Sequence, residues 1–222
     1  MERKKHMNKI SKDTFWEMIA QGREACAGNL DALVQWLEDK LAEMGPEAAL
    51  EFDAIVHAYY GLAYKYGLWN AASIMCNGCT DDGFWDFLGW LIAQGREVYL
   101  AALKDPDSLA ELLVCKNCWF PDIAYVGDAV YHRITGKDNS GYPDRETFDA
   151  LKEELKKDIT YGDGVGYPHT WSETAAYLPK LCAKYMQPGE LEWRIANHND
   201  TWNPTSEEIQ MARATEKKGV KI

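Results

Sequence analysis

Large apolar side chains recur at three- and four-residue spacing in one segment after another. No segment alternates with the period of two that marks a half-buried strand. The pattern predicts an all-α, single-domain bundle of about eight helices. Ser11 or Asp13 is placed to cap a first helix carrying Phe15, Trp16, Ile19, Ala20 and Cys26, which Gly28-Asn29 breaks. A second carries Leu30, Leu33, Val34, Trp36, Leu37, Leu41 and Met44 and stops at Gly45-Pro46. The third holds Phe52, Ile55, Val56, Tyr59, Tyr60, Ala63 and Tyr66, with Gly67 as its expected end. A shorter helix over residues 68–75 leads into the turn Cys76-Asn77-Gly78-Cys79.

The longest uninterrupted apolar-periodic segment lies within the stretch from Cys79 to Leu109, with Asp81-Asp82 ahead of its first aromatic and Lys104-Asp105-Pro106-Asp107 at its stop. At 100° per residue, Phe84, Phe87, Leu88, Leu91, Gly95, Val98 and Ala102 fall together, flanked by Trp85, Ile92, Tyr99 and Leu103. That sector is roughly 160° wide against the ~100° of an ordinary surface helix, so the fold is expected to build around it as a central buried helix. Leu91 lies mid-sector and Trp90 toward its edge. Asp81 or Asp82 is the expected cap, and Pro106 the stop. Short helices are predicted over residues 108–114 and 123–134, an edge helix over 144–157 and a last packed helix over 171–185. Residues 159–169, ITYGDGVGYPH, read as a loop, because no strand precedes the glycines and no Lys-Ser/Thr follows. Beyond Met186 the chain turns polar, with Trp193 and Trp202 as expected anchors. The helical domain is therefore assigned to residues 11–186 and a partly packed polar tail to 187–222.

One hexapeptide occurs twice: Ile19-Ala20-Gln21-Gly22-Arg23-Glu24 returns as Ile92-Ala93-Gln94-Gly95-Arg96-Glu97. A glycine inside a helix costs about 1 kcal/mol against alanine. Both glycines are thus expected to let a helix backbone approach a neighbour.

Several of these residues also carry a likeness. Gly78-Cys79-Thr80-Asp81-Asp82-Gly83-Phe84, Trp90-Leu91-Ile92-Ala93-Gln94-Gly95-Arg96-Glu97-Val98-Tyr99 and Asp105-Pro106-Asp107-Ser108-Leu109 resemble a bacterial family known as domain of unknown function 4240. Leu68-Trp69-Asn70-Ala71-Ala72 and Phe15-Trp16 belong to the same likeness, which spans about residues 13–135. It implies an all-helical fold and no chemistry. Leu88-Gly89 departs from the Phe-Arg expected there, and Cys76 with the Cys115/Cys118 pair stands outside the pattern.

Composition narrows the function. Nine Trp, twelve Tyr and 46% hydrophobic residues are globular values, while the net charge is −11. An acidic chain is a poor match for a nucleic-acid backbone or an anionic membrane, and no apolar run approaches the ~18 residues that span a bilayer. Met1 to Ser11 is basic but no apolar stretch follows, so a secretory signal is not expected and the six cysteines should be reduced thiols of a cytoplasmic protein.

Chemistry is sparse. Cys76-x-x-Cys79 and Cys115-x-x-Cys118 have zinc-knuckle spacing. A continuous 22-residue helix between them would run about 33 Å, and a short return helix only about 10 Å. The pairs are therefore expected to stay apart as free thiols, with no cofactor and structural zinc as an alternative. His57 stands four residues after Asp53, the spacing of an ion pair or a base with its orienting group. No other histidine has metal-ligand spacing and no nucleophile motif is present. Asp53, Asp81, Asp82, Asp86 and Glu97 are the acids available to a carboxylate site. The reading that remains is a non-enzymatic interaction or regulatory protein with no catalytic residues. Its acidic surface suits a basic protein partner, such as a toxin met by an immunity protein. Asp82, Asp86, Gly89, Ala93, Arg96, Glu97 and Leu100 would form its docking stripe, with Gly89 and Ala93 as a notch. An enzyme with a carboxylate or metal site near Asp81 and Asp82 is the alternative.

Overall fold

In a computed structural model, which describes residues 10–113, 117–139, 142–166 and 169–197, the fold is all-α, and no strand occurs among the described residues. Among the described residues, eleven α-helices and two short 3-10 helices follow one another: α1 (Lys12–Ala25), α2 (Leu30–Met44), α3 (Pro46–Ala63), α4 (Tyr66–Met75), α5 (Asp81–Ala93), α6 (Arg96–Lys104), a 3-10 helix (Pro106–Glu111), a second (Pro121–Ala124), α7 (Val126–Thr135), α8 (Arg145–Lys156), α9 (Trp171–Tyr177), α10 (Pro179–Tyr185) and α11 (Glu190–Asn197). They gather into two compact units. Of the described residues, the first holds 10–62, 92–96, 120–139 and 142–157; the second holds 63–91, 97–113, 117–119, 158–166 and 169–197.

Local chemistry sets the ends of α1, α2 and α8. Ser11, Asn29 and Asp144 each accept a hydrogen bond from the backbone N–H three residues on. In the first unit α1, α2, α3 and α7 bury Phe15, Ile19, Leu33, Leu37, Leu41, Phe52, Val56 and Val130 almost completely. Trp16 and Tyr59 are joined by a 2.8 Å indole-to-hydroxyl hydrogen bond, which lets two large amphipathic rings enter the core without an orphaned polar atom. Gly127 of α7 is pressed onto α3: a Cβ there would lie 2.5 Å from the Ala49 carbonyl oxygen and 2.6 Å from Asp53 Cβ.

Three expected helices are broken. The longest apolar-periodic segment is two helices, α5 and α6, divided at Gly95 with φ +97°, a conformation that side chains with a Cβ rarely adopt. The two copies of the hexapeptide therefore differ: Gly22 lies inside α1, where a Cβ would meet Leu33 Cδ1 at 2.5 Å, while Gly95 is a terminator. The copies meet within the first unit. Arg23 donates from its guanidinium to the Gln94 carbonyl that α5 leaves open at its C-terminus, and Arg96 pairs with Asp13 at 3.0 Å. Similarly, α3 ends at Ala63, and Gly67 lies within α4. The Gly67 N–H reaches the Val165 carbonyl at 2.9 Å, and a Cβ there would lie 2.9 Å from Val165 Cα. The 171–185 segment splits at Pro179, which pushes Leu178 out of helical conformation.

In the second unit the aromatic rings of Tyr64, Trp69, Phe84 and Phe87 form one cluster, with Trp69 and Phe84 stacked at 4.9 Å. From Phe87 onward α5 is buried, and more widely than the wheel implies, since Trp90 is enclosed along with Leu91, whereas Trp85, expected on the buried flank, is exposed. The loop over residues 159–166 is a packing piece. Gly162 N–H donates to the Leu103 carbonyl, and a Cβ on Gly162 would overlap the Lys104 carbonyl. Asp107 is buried and its carboxylate accepts the first backbone N–H groups of α10, from Lys180 at 3.0 Å and Leu181 at 2.9 Å. Of the residues after 186, those up to 197 are described, and they carry α11. Arg194 of α11 is buried, lies over the Trp171 ring and donates to Asn77, whereas Trp193, the expected anchor, is exposed. Trp202 lies outside the described residues.

Candidate functional site

The seven residues expected to form a docking stripe do not share one open face. The break at Gly95 puts Asp82, Asp86, Gly89 and Ala93 on α5 but Arg96, Glu97 and Leu100 on α6. Gly89 and Ala93 are buried, so their notch is closed by the protein's own packing; Asp82 and Glu97 are exposed and Asp86, Arg96 and Leu100 half-buried.

The start of α5 is different. Thr80, rather than an aspartate, supplies the cap, its hydroxyl accepting from Gly83 N–H at 3.2 Å. Asp81 and Asp82 are thereby left on the surface of the first turn, where the helix dipole favours negative charge. Tyr64 donates to Asp81 Oδ1 at 2.5 Å, and its ring lies 5.8 Å from that of Trp85. Burial first, then the Asp81 hydrogen bond, raise the Tyr64 phenol above its ordinary range, so it stays a donor. Tyr64, Tyr66 and Trp85 are 37%, 36% and 41% exposed, yet Tyr64 also packs on the buried rings of Trp69 and Phe84. The result is a fixed aromatic face edged by two carboxylates.

A cleft of about 510 Å³ lies in the first unit, lined by Asp53, Ala54, His57, Asn139, Tyr142, Pro143, Arg145 and Phe148. It converges on Asp53, not on Asp81 and Asp82 as the enzyme alternative expects. Asn139 donates weakly to Asp53 Oδ2 at 3.4 Å, and His57 Nδ1 lies 3.6 Å from the same oxygen. His57 Nδ1 is also 2.9 Å from the Asp53 carbonyl oxygen, which can only accept, so this nitrogen carries a proton. Asp53 Oδ1 is buried without a well-formed hydrogen bond among the described residues, although the Asp128 backbone N–H lies close enough to favour the charge. Burial raises the carboxyl pKa, opposed by His57 and reinforced by Asp128. The i,i+4 spacing pointed to a surface pair. What it missed is Gly127, whose lack of a side chain lets α7 cover Asp53.

The described cysteines are free thiols, as expected, but Cys118 does not stay apart from Cys76. The segment between them is not one continuous helix, and residues 97–113 and 117–119 fall in the unit that holds Cys76 and Cys79, so the helix-length argument for keeping Cys118 apart no longer applies. Cys118 lies beside Cys76, close enough for its thiol and backbone N–H, with the Trp119 indole, to donate toward the Cys76 sulfur. Those donors, the Cys118 thiol foremost, hold the Cys76 pKa below its ordinary value against the opposing effect of burial. Burial, then Cys76 and Asp86, push Cys79 up to about 12. The Cys79 sulfur faces the Thr80 carbonyl at 3.6 Å, and among the described residues no three ligating groups converge on one point. Cys115 lies outside the described residues. Of the histidines, His132 pairs with Asp138 at 3.5 Å, while His169 is buried, 3.0 Å from the Gly164 carbonyl oxygen and stacked on Tyr177. His6 and His198 lie outside the described residues.

Among the described residues no helix is long and apolar enough to cross a membrane. Residues 10–133 match the sequence profile of a family described as "Protein of unknown function (DUF4240)". No curated protein and no solved structure matches the chain.

Proposed function

The chain belongs to the DUF4240 family, and we propose that it acts without catalysis, as a cytoplasmic helical module that docks a basic protein segment. The observation that carries this reading is the face at the start of α5, where Trp85 and Tyr64 stand exposed beside Asp81 and Asp82. Aromatic faces attract lysine and arginine side chains, and neighbouring carboxylates add charge complementarity. The rings are already fixed by packing and by the Tyr64–Asp81 hydrogen bond, so little side-chain freedom is lost on docking. A net charge of −11 steers the same class of partner.

The test compares proteins retained from the native host by the wild type, Trp85→Ala and Asp82→Lys, all checked for unchanged thermal midpoints. A basic partner held by the wild type should be lost by both variants, and its retention should fall as salt rises. An exposed Trp at a hot spot contributes at least about 2 kcal/mol, or roughly 30-fold in affinity. Equal retention by all three proteins refutes the assignment of this face.

A further inference from the structure

The cleft at Asp53 lies wholly within the first unit and is independent of the docking face. Asp53 is 7% exposed, and a carboxylate so far from water needs hydrogen-bond donors around it. Among the described residues it is poorly supplied. Oδ1 has no well-formed hydrogen bond, and Oδ2 receives one long contact, from Asn139 at 3.4 Å. His57 Nδ1 approaches the same oxygen at 3.6 Å, but its proton is directed to the Asp53 carbonyl oxygen, 2.9 Å away. A carboxylate offers about four acceptor positions, so most of the capacity of this one is unused. On one side α7 covers the acid through Gly127, where a Cβ would lie 2.6 Å from Asp53 Cβ; the cleft is the side left to a ligand.

From this geometry we infer that the cleft binds an organic cation, an ammonium or guanidinium group on an apolar stem, with its N–H groups on the Asp53 carboxylate. Charge-assisted hydrogen bonds are the strong ones, and a buried carboxylate is stable when it is paired. The neighbouring groups favour the same ligand. With Nδ1 protonated, the neutral His57 ring keeps its lone pair on Nε2, and Asn139, which gives its amide N–H to Asp53, keeps an amide oxygen. Acceptors therefore predominate around the acid. Tyr142, 43% exposed, and the half-buried Phe148 supply rings for the stem and for cation–π attraction. A volume of about 510 Å³ falls in the range of small-ligand sites. Arg145 also lines the cleft, but its side chain is 96% exposed and lies 3.8 Å from Asp149, so water screens its charge. The cation can belong to a free amine or to a lysine or arginine side chain of another protein, since the chemistry at Asp53 is the same.

The full chain, isotope-labelled for NMR, is titrated with benzylamine and, in parallel, with benzyl alcohol and benzoate, which keep the ring and remove or reverse the charge. Benzylamine is expected to shift the backbone amide signals of Asp53, Ala54, His57 and Phe148 and to bind about tenfold or more tightly than either control. Asp53→Asn keeps the shape of the acid and should weaken benzylamine by about tenfold or more, the loss of a charge-assisted hydrogen bond. Glu43→Gln, which removes an exposed acid elsewhere in the same unit, should leave binding unchanged. The wild-type preference among the probes reads the site even if Asp53→Asn fails to fold. A capped Gly-Lys-Gly peptide separates the two sources: shifts at the same amides admit a protein side chain, and their absence restricts the site to free amines. Wild-type protein that binds no benzylamine at millimolar concentration, binds benzyl alcohol equally well, or shifts only amides away from the cleft overturns the proposal. So does undiminished binding by folded Asp53→Asn.

Discussion

Replacing Gly95 by alanine distinguishes two descriptions of residues 81–104 by the sign of the stability change. Were the segment one continuous helix, as its apolar periodicity implies, alanine at an interior position would stabilise it by about 1 kcal/mol. In the structure Gly95 has φ +97°, and holding an L-residue in that region costs about 1–3 kcal/mol. The added Cβ would lie 3.1 Å from the Arg23 guanidinium. That group is the far end of a flexible side chain, so it yields, but it is also the donor to the Gln94 carbonyl. The expected result is a loss of about 1–3 kcal/mol, separated by about 2–4 kcal/mol from the continuous-helix outcome. Urea denaturation followed by far-UV circular dichroism reads this directly: with a slope of about 2 kcal/mol per molar, the midpoint should fall by about 0.5–1.5 M. Gly95→Asn should cost less than Gly95→Ala, since asparagine tolerates left-handed backbone. A midpoint that rises in Gly95→Ala refutes the break.

Other substitutions test separate features. Asp53→Asn removes a carboxyl whose folded pKa is raised by burial. Such a group loses stability as pH rises from its unfolded value near 4 through its raised folded value. The stability difference between variant and wild type should therefore move in favour of asparagine over that window and then level off; an opposite slope in thermal midpoints refutes the assignment. Asp107→Ala strips two backbone N–H groups of a buried acceptor and should cost about 2–3 kcal/mol, with Asp107→Asn intermediate because one oxygen remains. Leu91→Ala should cost about 2–5 kcal/mol and Trp90→Ala about 3–5, because both are enclosed. A Trp90→Ala loss well under 1 kcal/mol on chemical denaturation would restore the narrower sector read from the helical wheel.

Helix starts were legible where the chemistry is local. Ser11, one of two expected caps, does cap α1, while Asn29, read only as a break, turns out to cap α2. Breaks were less legible when the apolar repeat continues on both sides. At Gly95 the repeat stays in phase, and the hexapeptide shared with α1 reads as helix interior, which is true at Gly22 only. Pro179 was a readable stop hidden inside a strong apolar run, and Gly67 was mistaken for an end because its small size serves a contact with residue 165 instead. The candidate sites suffered in proportion. The cysteine spacing was visible, but judging whether the pairs meet needed the path of α5 and α6. The position of Asp53 in its helix was visible too, whereas its burial depends on Gly127, more than seventy residues later.

The way α10 is held has a consequence for motion. It has seven residues, begins on Pro179, and draws no side-chain cap from Leu178. A helix so short has no stability in isolation. Its N-terminal amides rest on Asp107, and Lys184 near its other end reaches the carbonyl oxygens of Ala110 and Leu112. Neither end of α10 can open without releasing the Pro106–Glu111 turn. In native-state hydrogen exchange, the protected amides of α10 and of that turn should therefore exchange through one shared opening, as a single cooperative piece assembled from chain segments some seventy residues apart.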